Sequence, residues 1–367
     1  MDVKATLLNN TAARVTALIL VLYGFLVSIG MLGNAFKMFS GGFVGDLIQS
    51  ASNPVIALFV GILVTSLVQS SSTTTSLVVA LVGSGTMSVA TAIPVIMGAN
   101  IGTSVTNILV SLGHLNRGPE FRRAYAAANV HDFFNVFAVL LLFPLQLATN
   151  FLGVSSVKLA ELFYNIGGLT FASPLKLATA PAVHGAESLF GQHPWLMMLA
   201  SLVLMFASLR QLVVLLKGLV ISRVEAMFDH LIFRTPSRAL LFGLVITALV
   251  QSSSVTTSLA VPLAGAGILT IQQIYPYTLG ANVGTTVTAM LAALAVGEIH
   301  AVTVAFAHLL FNLCGIVIIW PIPGIRNLPI VMAEKMTSIA MYSKVIPVLW
   351  VLFFFFGVPF VAIILMR

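Results

Sequence analysis

The sequence has very little charge and almost no cysteine. Only 7% of its 367 residues are Asp, Glu, Lys or Arg, whereas a water-soluble domain carries about 25%. Hydrophobic residues make up 59% of the chain, and the mean hydropathy is +1.07. The one cysteine, Cys314, excludes an internal disulfide. These absences exclude a water-soluble globular protein and indicate an integral membrane protein with many helices.

Sequence signatures of common enzymes are also missing. There is no Gly-x-Ser-x-Gly elbow, no P-loop and no His-Glu-x-x-His zinc pattern. Without a nucleotide-binding motif, we expect any transport to use an ion gradient. The net charge of +7 comes from basic residues scattered through loops, as the positive-inside rule describes, so it does not indicate a nucleic-acid partner. We therefore expect no enzyme activity, no cofactor and no nucleic acid.

A polar motif appears twice, each time inside an apolar stretch. The sequence Gln-Ser-Ser-Ser stands at 69–72 and again at 251–254. Both copies continue into Gly-Ala-Asn-x-Gly-Thr, at 98–103 and 280–285, and about half of the aligned positions between them are identical. Small polar residues are costly in a bilayer unless they line a cavity walled by protein. The repetition therefore predicts one membrane unit that is built twice around a polar site.

The apolar stretches predict seven membrane crossings of about 20 residues. They are residues 15–36, 87–112, 124–147, 196–221, 270–297, 302–320 and 345–366. Two other stretches, 53–84 and 239–266, are divided by the serine motif, which predicts re-entrant hairpins with the serines at their tips. Two glycines within five residues predict a broken helix in 87–112 and in 270–297, since each glycine weakens a helix by about 1 kcal/mol. Paired interrupted segments are typical of transporter binding sites.

The number of crossings predicts how the repeats are related. The first repeat, residues 1–147, holds three crossings, so the second, residues 196–320, starts on the opposite face. The predicted fold is all-α, a polytopic membrane protein of two inverted-topology repeats. With the N-terminus in the cytoplasm, most Lys and Arg residues lie on the cytoplasmic side. We expect 148–195 to form an external linker with an interfacial helix, and 321–367 a cytoplasmic loop and a last crossing. A further crossing within the linker would make the repeats parallel.

The two motifs differ in the ion that each suits. A helix that starts at a hairpin tip presents unpaired N–H groups and partial positive charge, which suit an anion. Unwound glycine motifs expose carbonyl oxygens beside Asn and Thr, the ligands that Na⁺ prefers in discontinuous membrane helices. For a single motif, close helix packing through Ser and Thr explains the residues equally well. Two matched copies favour a binding site.

One acidic residue, Asp132, is expected within a crossing, where carboxylates are usually functional. Its counterpart in the second repeat is Leu309, so repeat symmetry does not require it. We interpret it as a sodium ligand or charge-coupling group; the alternative is an interfacial residue that offsets neighbouring arginines. His131 and His308 occupy equal positions, and for both we favour hydrogen bonds between helices over proton coupling.

Several motifs together resemble the type II sodium-dependent phosphate cotransporter family. They agree in order and spacing and lie at 68–73, 98–103, 121–124, 130–132, 134–135, 250–254, 280–285 and 320–323. The resemblance runs from about residue 53 to 335. It implies sodium-driven symport of inorganic phosphate by alternating access, with Na⁺ as co-transported ion. The disulfide-bonded external loop of animal members has no counterpart, which implies a bacterial-type protein of the inner membrane.

Single positions refine what the resemblance implies. Electrogenic members of the family share three residues with this chain: Ala126, Ala128 and Asp132. Transport is therefore expected to move net charge. The chain departs from the family at His114 and Arg117, where members often have Gln and Asp, and at Ala281, where they have Ser. These departures remove oxygen ligands ascribed to one sodium site, so the number of coupled ions stays open.

The predicted site has a phosphate part and a sodium part. The predicted phosphate ligands are Gln69, Ser70, Ser71, Ser72, Gln251, Ser252, Ser253 and Ser254. The predicted sodium ligands are Asn100, Thr103, Asp132, Asn135, Asn282 and Thr285, and no other metal is expected. Three other functions stay open: a sodium-coupled carrier of another small anion, a phosphate exporter and an anion channel.

Overall fold

The computed structural model describes residues 11–38, 53–165, 174–190, 193–216 and 232–366. Within these ranges all regular structure is helical. The predicted cytoplasmic N-terminal segment, the end of the crossing predicted at 196–221 and the basic residues Lys217 and Arg223 lie outside the described residues.

The helices are numbered in chain order. They are α1 Thr11–Met38, α2 Pro54–Val68, α3 Ser71–Gly83, α4 Val89–Gly102, α5 Val105–Leu112, α6 Gly118–Thr149, α7 Phe151–Asn165, α8 Pro174–Phe190, α9 Pro194–Leu216, α10 Pro236–Val250, α11 Ser253–Gly265, α12 Ile271–Val296, α13 Ile299–Ile319, α14 Pro323–Arg326, α15 Leu328–Ala340, α16 Ile346–Val351 and α17 Val358–Leu365. A short π-helix, Leu352–Gly357, joins the last two.

Seven of these segments are long and apolar enough to cross a membrane. They are α1, α4 with α5, α6, α9, α12, α13, and α16 with α17. Each corresponds to one of the predicted crossings. The helix α6, with 32 residues, extends beyond the predicted crossing at both ends. The prediction of an all-helical polytopic membrane protein is confirmed.

The serine motifs turn two pairs of short helices back on themselves. Helices α2 and α3 form hairpin 1, and α10 and α11 form hairpin 2. The only residues between the paired helices are Gln69–Ser70 in hairpin 1 and Gln251–Ser252 in hairpin 2. Both predicted pairs of short helices are present, and their re-entrant placement in the membrane stays a prediction. The last two serines of each motif, however, lie in the first turn of the second helix and not in the loop.

Of the two predicted helix breaks at the glycine motifs, the first lies at the end of its motif and the second is absent. Helix α4 continues to Gly102 and ends in a turn at Thr103–Ser104, which begins at the last residue of the motif, and α12 is continuous over 26 residues. A Cβ atom added at Gly98 would overlap the carbonyl oxygen of Leu58, and one at Gly280 would overlap that of Leu240. The glycines thus allow α4 to contact α2, and α12 to contact α10, at backbone distance, as small residues spaced four apart commonly do in membranes.

Gly280→Ala is expected to destabilise the protein by on the order of 3 kcal/mol, because the new methyl group would overlap a main-chain oxygen of the neighbouring helix. Thermal unfolding of the purified protein in detergent measures this loss. The control is Gly324→Ala, since no atom lies within 4 Å of a Cβ built there. Equal melting temperatures for the two variants would contradict a close α10–α12 contact.

The two hairpins have their bases at opposite ends of α12. Gly83, at the end of hairpin 1, contacts Val296 at the C-terminal end of α12. The end of hairpin 2 leads through residues 266–270 into the N-terminal end of the same helix. A helix of 26 residues is about 39 Å long, so the two bases are separated by about the thickness of a bilayer.

Residues 148–195, predicted as an external linker, contain α7 and α8. Helix α8 lies beside α1: Tyr23 Oη donates to Ala178 O at 3.2 Å, and Asn34 Nδ2 donates to Glu187 Oε1 at 2.5 Å. Helices α7 and α8 have 15 and 17 residues, fewer than the shortest candidate crossing, which has 18. The division of the chain into repeats, linker and last crossing stays a prediction.

Candidate functional site

The two serine motifs meet at the tips of the hairpins. Ser71 Oγ and Ser253 Oγ lie 3.5 Å apart, and Ser72 Oγ donates to the main-chain oxygen of Gln251 at 3.0 Å. All four residues are buried. The N-terminal ends of α3 and α11 therefore face each other, and the structure brings the two predicted phosphate motifs together.

A glutamine in the left-handed conformation makes the turn at each tip. Gln69 and Gln251 both have φ of 58°, which residues other than glycine rarely adopt. Their side chains explain why glycine does not stand there. Gln69 Oε1 accepts from Thr106 Oγ1 at 3.5 Å, and Gln251 Oε1 accepts from Thr288 Oγ1 at 2.8 Å. The tip of hairpin 1 is thus held by α5, and the tip of hairpin 2 by α12. Backbone strain that is stabilised by neighbouring elements is typical of functional sites.

A serine after each glutamine caps the second helix of the hairpin. Ser70 Oγ accepts from Thr73 N–H at 3.2 Å, and Ser252 Oγ accepts from Val255 N–H at 3.4 Å. The other N–H groups of a first helical turn have no partner within the helix, and a helix N-terminus carries about half a positive charge. Each tip therefore offers amide donors beside the serine hydroxyls. Two such ends that face each other repel, and a bound anion would reduce the repulsion.

A buried chain of hydrogen bonds connects hairpin 2 with three other helices. Thr257 Oγ1 lies 2.8 Å from Asn107 Oδ1, and Asn107 Nδ2 lies 3.2 Å from His131 Nδ1. His131 Nε2 lies 2.7 Å from Asn282 Oδ1, and Asn282 Nδ2 donates to Asn135 Oδ1 at 2.7 Å. We call these five residues the histidine network; all are buried.

The bond directions on one side of the histidine network place a proton on Nε2 of the imidazole. Asn282 uses its Nδ2 to donate to Asn135, so its Oδ1 is the atom that accepts from His131 Nε2–H. His131 therefore carries a proton on Nε2. Thr257 Oγ1 lies 2.8 Å from both Asn107 Oδ1 and Ser253 O, and its single proton bonds to only one of them, so this contact does not fix the direction of the bond between Asn107 and His131. Both ring nitrogens of His131 bond to side chains of other helices, which supports bonding between helices over proton coupling.

The histidine network extends to the turn that ends α4. Asn135 Nδ2 donates to the main-chain oxygen of Asn100 at 2.8 Å. In a regular helix this oxygen would accept from Ser104 N–H, but that group donates to Ile101 O at 3.2 Å. The irregular turn therefore releases a carbonyl oxygen within the first glycine motif, although the turn begins only at the last residue of that motif.

The six predicted sodium ligands do not all lie in one place. Asn135 and Asn282 belong to the histidine network by their side chains, and Asn100 adjoins it by its main-chain oxygen. Thr103 and Thr285 instead donate to the carbonyl oxygens four residues earlier in their own helices, at 2.9 and 3.0 Å. The structure therefore gives these two threonines no role in the network.

Asp132 is fully buried, and neither of its carboxyl oxygens has a hydrogen-bond partner among the described residues. The Ser104 hydroxyl lies near this carboxyl but outside hydrogen-bonding geometry. The same hydroxyl has no hydrogen-bond partner among the described residues. An unpaired carboxylate is costly in an apolar interior, so this group requires a cation or a proton. The interfacial alternative is wrong, because an interfacial residue would be exposed and would face the arginines.

The two histidines at equal positions differ in their surroundings. His131 is bonded at both ring nitrogens, whereas His308 Nδ1 has no partner among the described residues.

His114 and Arg117, which replace oxygen ligands of the resembled family, both contact Glu120 Oε2 near the start of α6, at 3.3 and 3.2 Å.

The structure adds residues that the sequence did not single out: Ser104, Thr106, Asn107, Thr257 and Thr288. Thr106 and Thr288 occupy equal positions in the two repeats, so the repetition contained a signal for them. Asn107 aligns with Ala289, and no matched pattern pointed to it.

Comparison with known proteins gives one family. The model of the family described as Na+/Pi-cotransporter matches residues 25–172 and 204–318. The chain is 35% identical to sodium-dependent phosphate transport protein 2A of Ovis aries, over 95% of this chain and 67% of the relative. It is 33% identical to protein 2B of Homo sapiens, over 94% and 64%, and 35% identical to protein 2A of Mus musculus, over 97% and 68%. The chain thus spans about two thirds of these relatives. No solved structure matches it.

Proposed function

The chain belongs to the Na+/Pi-cotransporter family, and on this premise we propose that it carries inorganic phosphate across the plasma membrane together with sodium. The observation that carries the proposal is the contact between two helix N-termini at Ser71 and Ser253, 3.5 Å apart and buried. Paired amide donors and hydroxyls of this kind recognise an oxyanion without Lys or Arg.

Phosphate binding requires the hairpin tips to move apart. Two O–H···O hydrogen bonds of about 2.7 Å each, together with the width of the anion, need a larger gap than 3.5 Å between the Ser71 and Ser253 hydroxyls. In this proposal Gln69 and Gln251 set the direction of each tip, and the tips separate to admit phosphate and close when it leaves. Alternating access is then a movement of the hairpins against the helices around them.

The sodium site in this proposal lies beside the tips, at the turn that ends α4. Asp132 supplies a carboxylate without a partner, and Ser104 a hydroxyl. Asn135 and the main-chain oxygen of Asn100 supply amide oxygens nearby. Na⁺ prefers such oxygen ligands. A cation at Asp132 removes the cost of a buried unpaired charge, and transport moves net charge if the sodium ions carried in each cycle have more positive charge than the phosphate has negative charge.

The direction and orientation of transport follow from the same proposal. The opposite placement of the hairpin bases along α12 supports the inverted arrangement of the repeats, with one hairpin entering from each face. We propose import, a cytoplasmic N-terminus and, for a bacterial-type protein, the inner membrane.

Uptake into proteoliposomes tests the proposal. With an inward Na⁺ gradient we expect labelled phosphate to accumulate, and with choline in place of Na⁺ we expect no accumulation. Accumulation of sulfate or a dicarboxylate without phosphate would make the chain a carrier of another anion. Phosphate flux that follows voltage and ignores the Na⁺ gradient would indicate a channel.

Asp132→Asn is expected to retain phosphate uptake and to lose most of the accompanying current, because the variant lacks the carboxylate that binds a sodium ion in this proposal, so that less positive charge crosses with each phosphate. Parallel recording of uptake and current in proteoliposomes gives the ratio of charge to phosphate. Glu161→Gln makes the same change at an exposed position and should leave this ratio unchanged. A normal ratio in Asp132→Asn would remove Asp132 from the coupling scheme.

A further inference from the structure

A basic groove lies at the base of hairpin 2, away from the serine tips. It has a volume of about 650 Å³ and lies between the start of α6, the end of α11, the start of α12 and one side of α15. Three cationic side chains line it, Arg122 and Arg123 from α6 and Lys335 from α15, with one acidic residue, Glu334. We call this cavity the basic groove.

The three cations of the basic groove have different partners. Arg123 donates to the carbonyl oxygens of Ala264 and Gly265, at 3.2, 2.9 and 2.5 Å. It thereby satisfies the C-terminal end of α11 and ties hairpin 2 to α6. Arg122 and Lys335 form no ion pair within the part of the chain that the structure describes. The groove therefore holds two cations that have no anionic partner.

Helix α15 indicates where the basic groove opens. Its buried side, which includes Ala333 and Met336, belongs to the core cluster that α6 also forms. Its other side exposes apolar residues: Val331 by 42% and Ile339 by 50%. A short helix with exposed apolar residues and a lysine beside them is typical of the membrane surface, where long basic side chains reach the headgroups. The groove therefore opens at headgroup level.

We propose that the basic groove is a second anion site, which binds a phosphate group between Arg122 and Lys335, and that its ligand is the headgroup of an anionic phospholipid. Guanidinium and ammonium groups in a basic pocket between membrane helices are suited to such headgroups. A phosphate held there joins α6 to α15 beside the point where Arg123 anchors hairpin 2. This site is separate from the serine tips and does not depend on their proposed function.

Binding of two probes to the purified full-length protein tests the second site. Native mass spectrometry measures retention of phosphatidylglycerol against phosphatidylcholine. Equilibrium dialysis with choline in place of Na⁺ measures binding of labelled inorganic phosphate. We expect Arg122→Gln and Lys335→Gln each to weaken phosphatidylglycerol binding about fivefold, since a cation near the surface contributes about 1 kcal/mol. The matched control Lys158→Gln, at an exposed position of α7, should bind as the unchanged protein does.

The two probes distinguish the source of the phosphate group. A fivefold loss confined to inorganic phosphate would keep the anion site and replace the lipid by free phosphate. Equal binding of both probes by all four proteins would overturn the proposal. Ser71→Ala, which alters only the proposed transport site, should lose uptake and keep groove binding, so failure at one site is distinguishable from failure at the other. Thermal unfolding of each variant verifies that it is folded.

Discussion

Oxidation of a protein that carries both Ser71→Cys and Ser253→Cys is expected to stop phosphate uptake almost completely, and a reductant is expected to restore it. The two hydroxyls lie 3.5 Å apart at the tips of the hairpins, so sulfur atoms in their places need only a small shift to form a bond of about 2.05 Å. A disulfide there would hold the N-termini of α3 and α11 together. Because phosphate cannot enter while the tips touch, the linked protein cannot complete a transport cycle.

The native cysteine must be removed for this experiment. Cys314 lies partly buried in α13, and Cys314→Ser leaves the introduced pair as the only thiols. Each single variant is the matched control, because it carries the same change and cannot form the bond. Full uptake by the linked protein would show that the tips do not part during transport. Failure to link under oxidising conditions would contradict the contact itself.

The hairpins could be predicted because their signal is local and repeated. A serine run divides an apolar stretch that is too short for two crossings, and the same division recurs in the second half of the chain. The two-residue loop was not predicted, since it depends on a glutamine that adopts φ of 58°. That conformation is stabilised by Thr106 and Thr288 from other helices. Neither threonine belongs to the motif, so the motif alone does not predict the conformation.

The glycine motifs show that local sequence alone does not predict whether a helix breaks. Each glycine weakens an isolated helix by about 1 kcal/mol, so two within five residues predict a break. In the structure the same glycines admit the backbone of a neighbouring helix, and contact along α2 and α10 keeps α4 and α12 helical there. Both interpretations use the same residues, and the partner helix decides between them.

The histidine network shows the limit of repeat symmetry. His131 and His308 are equal by sequence, as are Asn135 and Asn312. Among the described residues, only the first member of each pair bonds across helices. For the histidines one cause is that Asn107 stands where the second repeat has Ala289. A difference of this kind is visible only when the helices are assembled.

Asn135→Ala is expected to raise the sodium concentration needed for half-maximal phosphate uptake by at least about tenfold. Asn135 donates to Asn100 O and accepts from Asn282 Nδ2, so its removal leaves two buried groups without a partner. Those losses destabilise the fold whether or not sodium is bound, and thermal unfolding detects them. The sodium affinity falls because the variant also removes an amide oxygen from the proposed sodium site. A hydrogen-bonding group that interacts with a charge contributes about 1.5–3 kcal/mol, and about 1.4 kcal/mol corresponds to a factor of ten in affinity.

Asn312→Ala makes the same change at the equal position of the second repeat. Asn312 Nδ2 donates only to His308 O in its own helix, at 3.0 Å, and its Oδ1 has no partner among the described residues. We therefore expect a sodium requirement close to that of the unchanged protein. Uptake measured over a range of Na⁺ concentrations compares the two variants, and thermal unfolding separates a lost ligand from a lost fold. An equal rise in the sodium requirement of both variants would mean that asparagine at this position stabilises its helix and does not bind the ion. The sodium site would then consist of Asp132 and Ser104 without the histidine network.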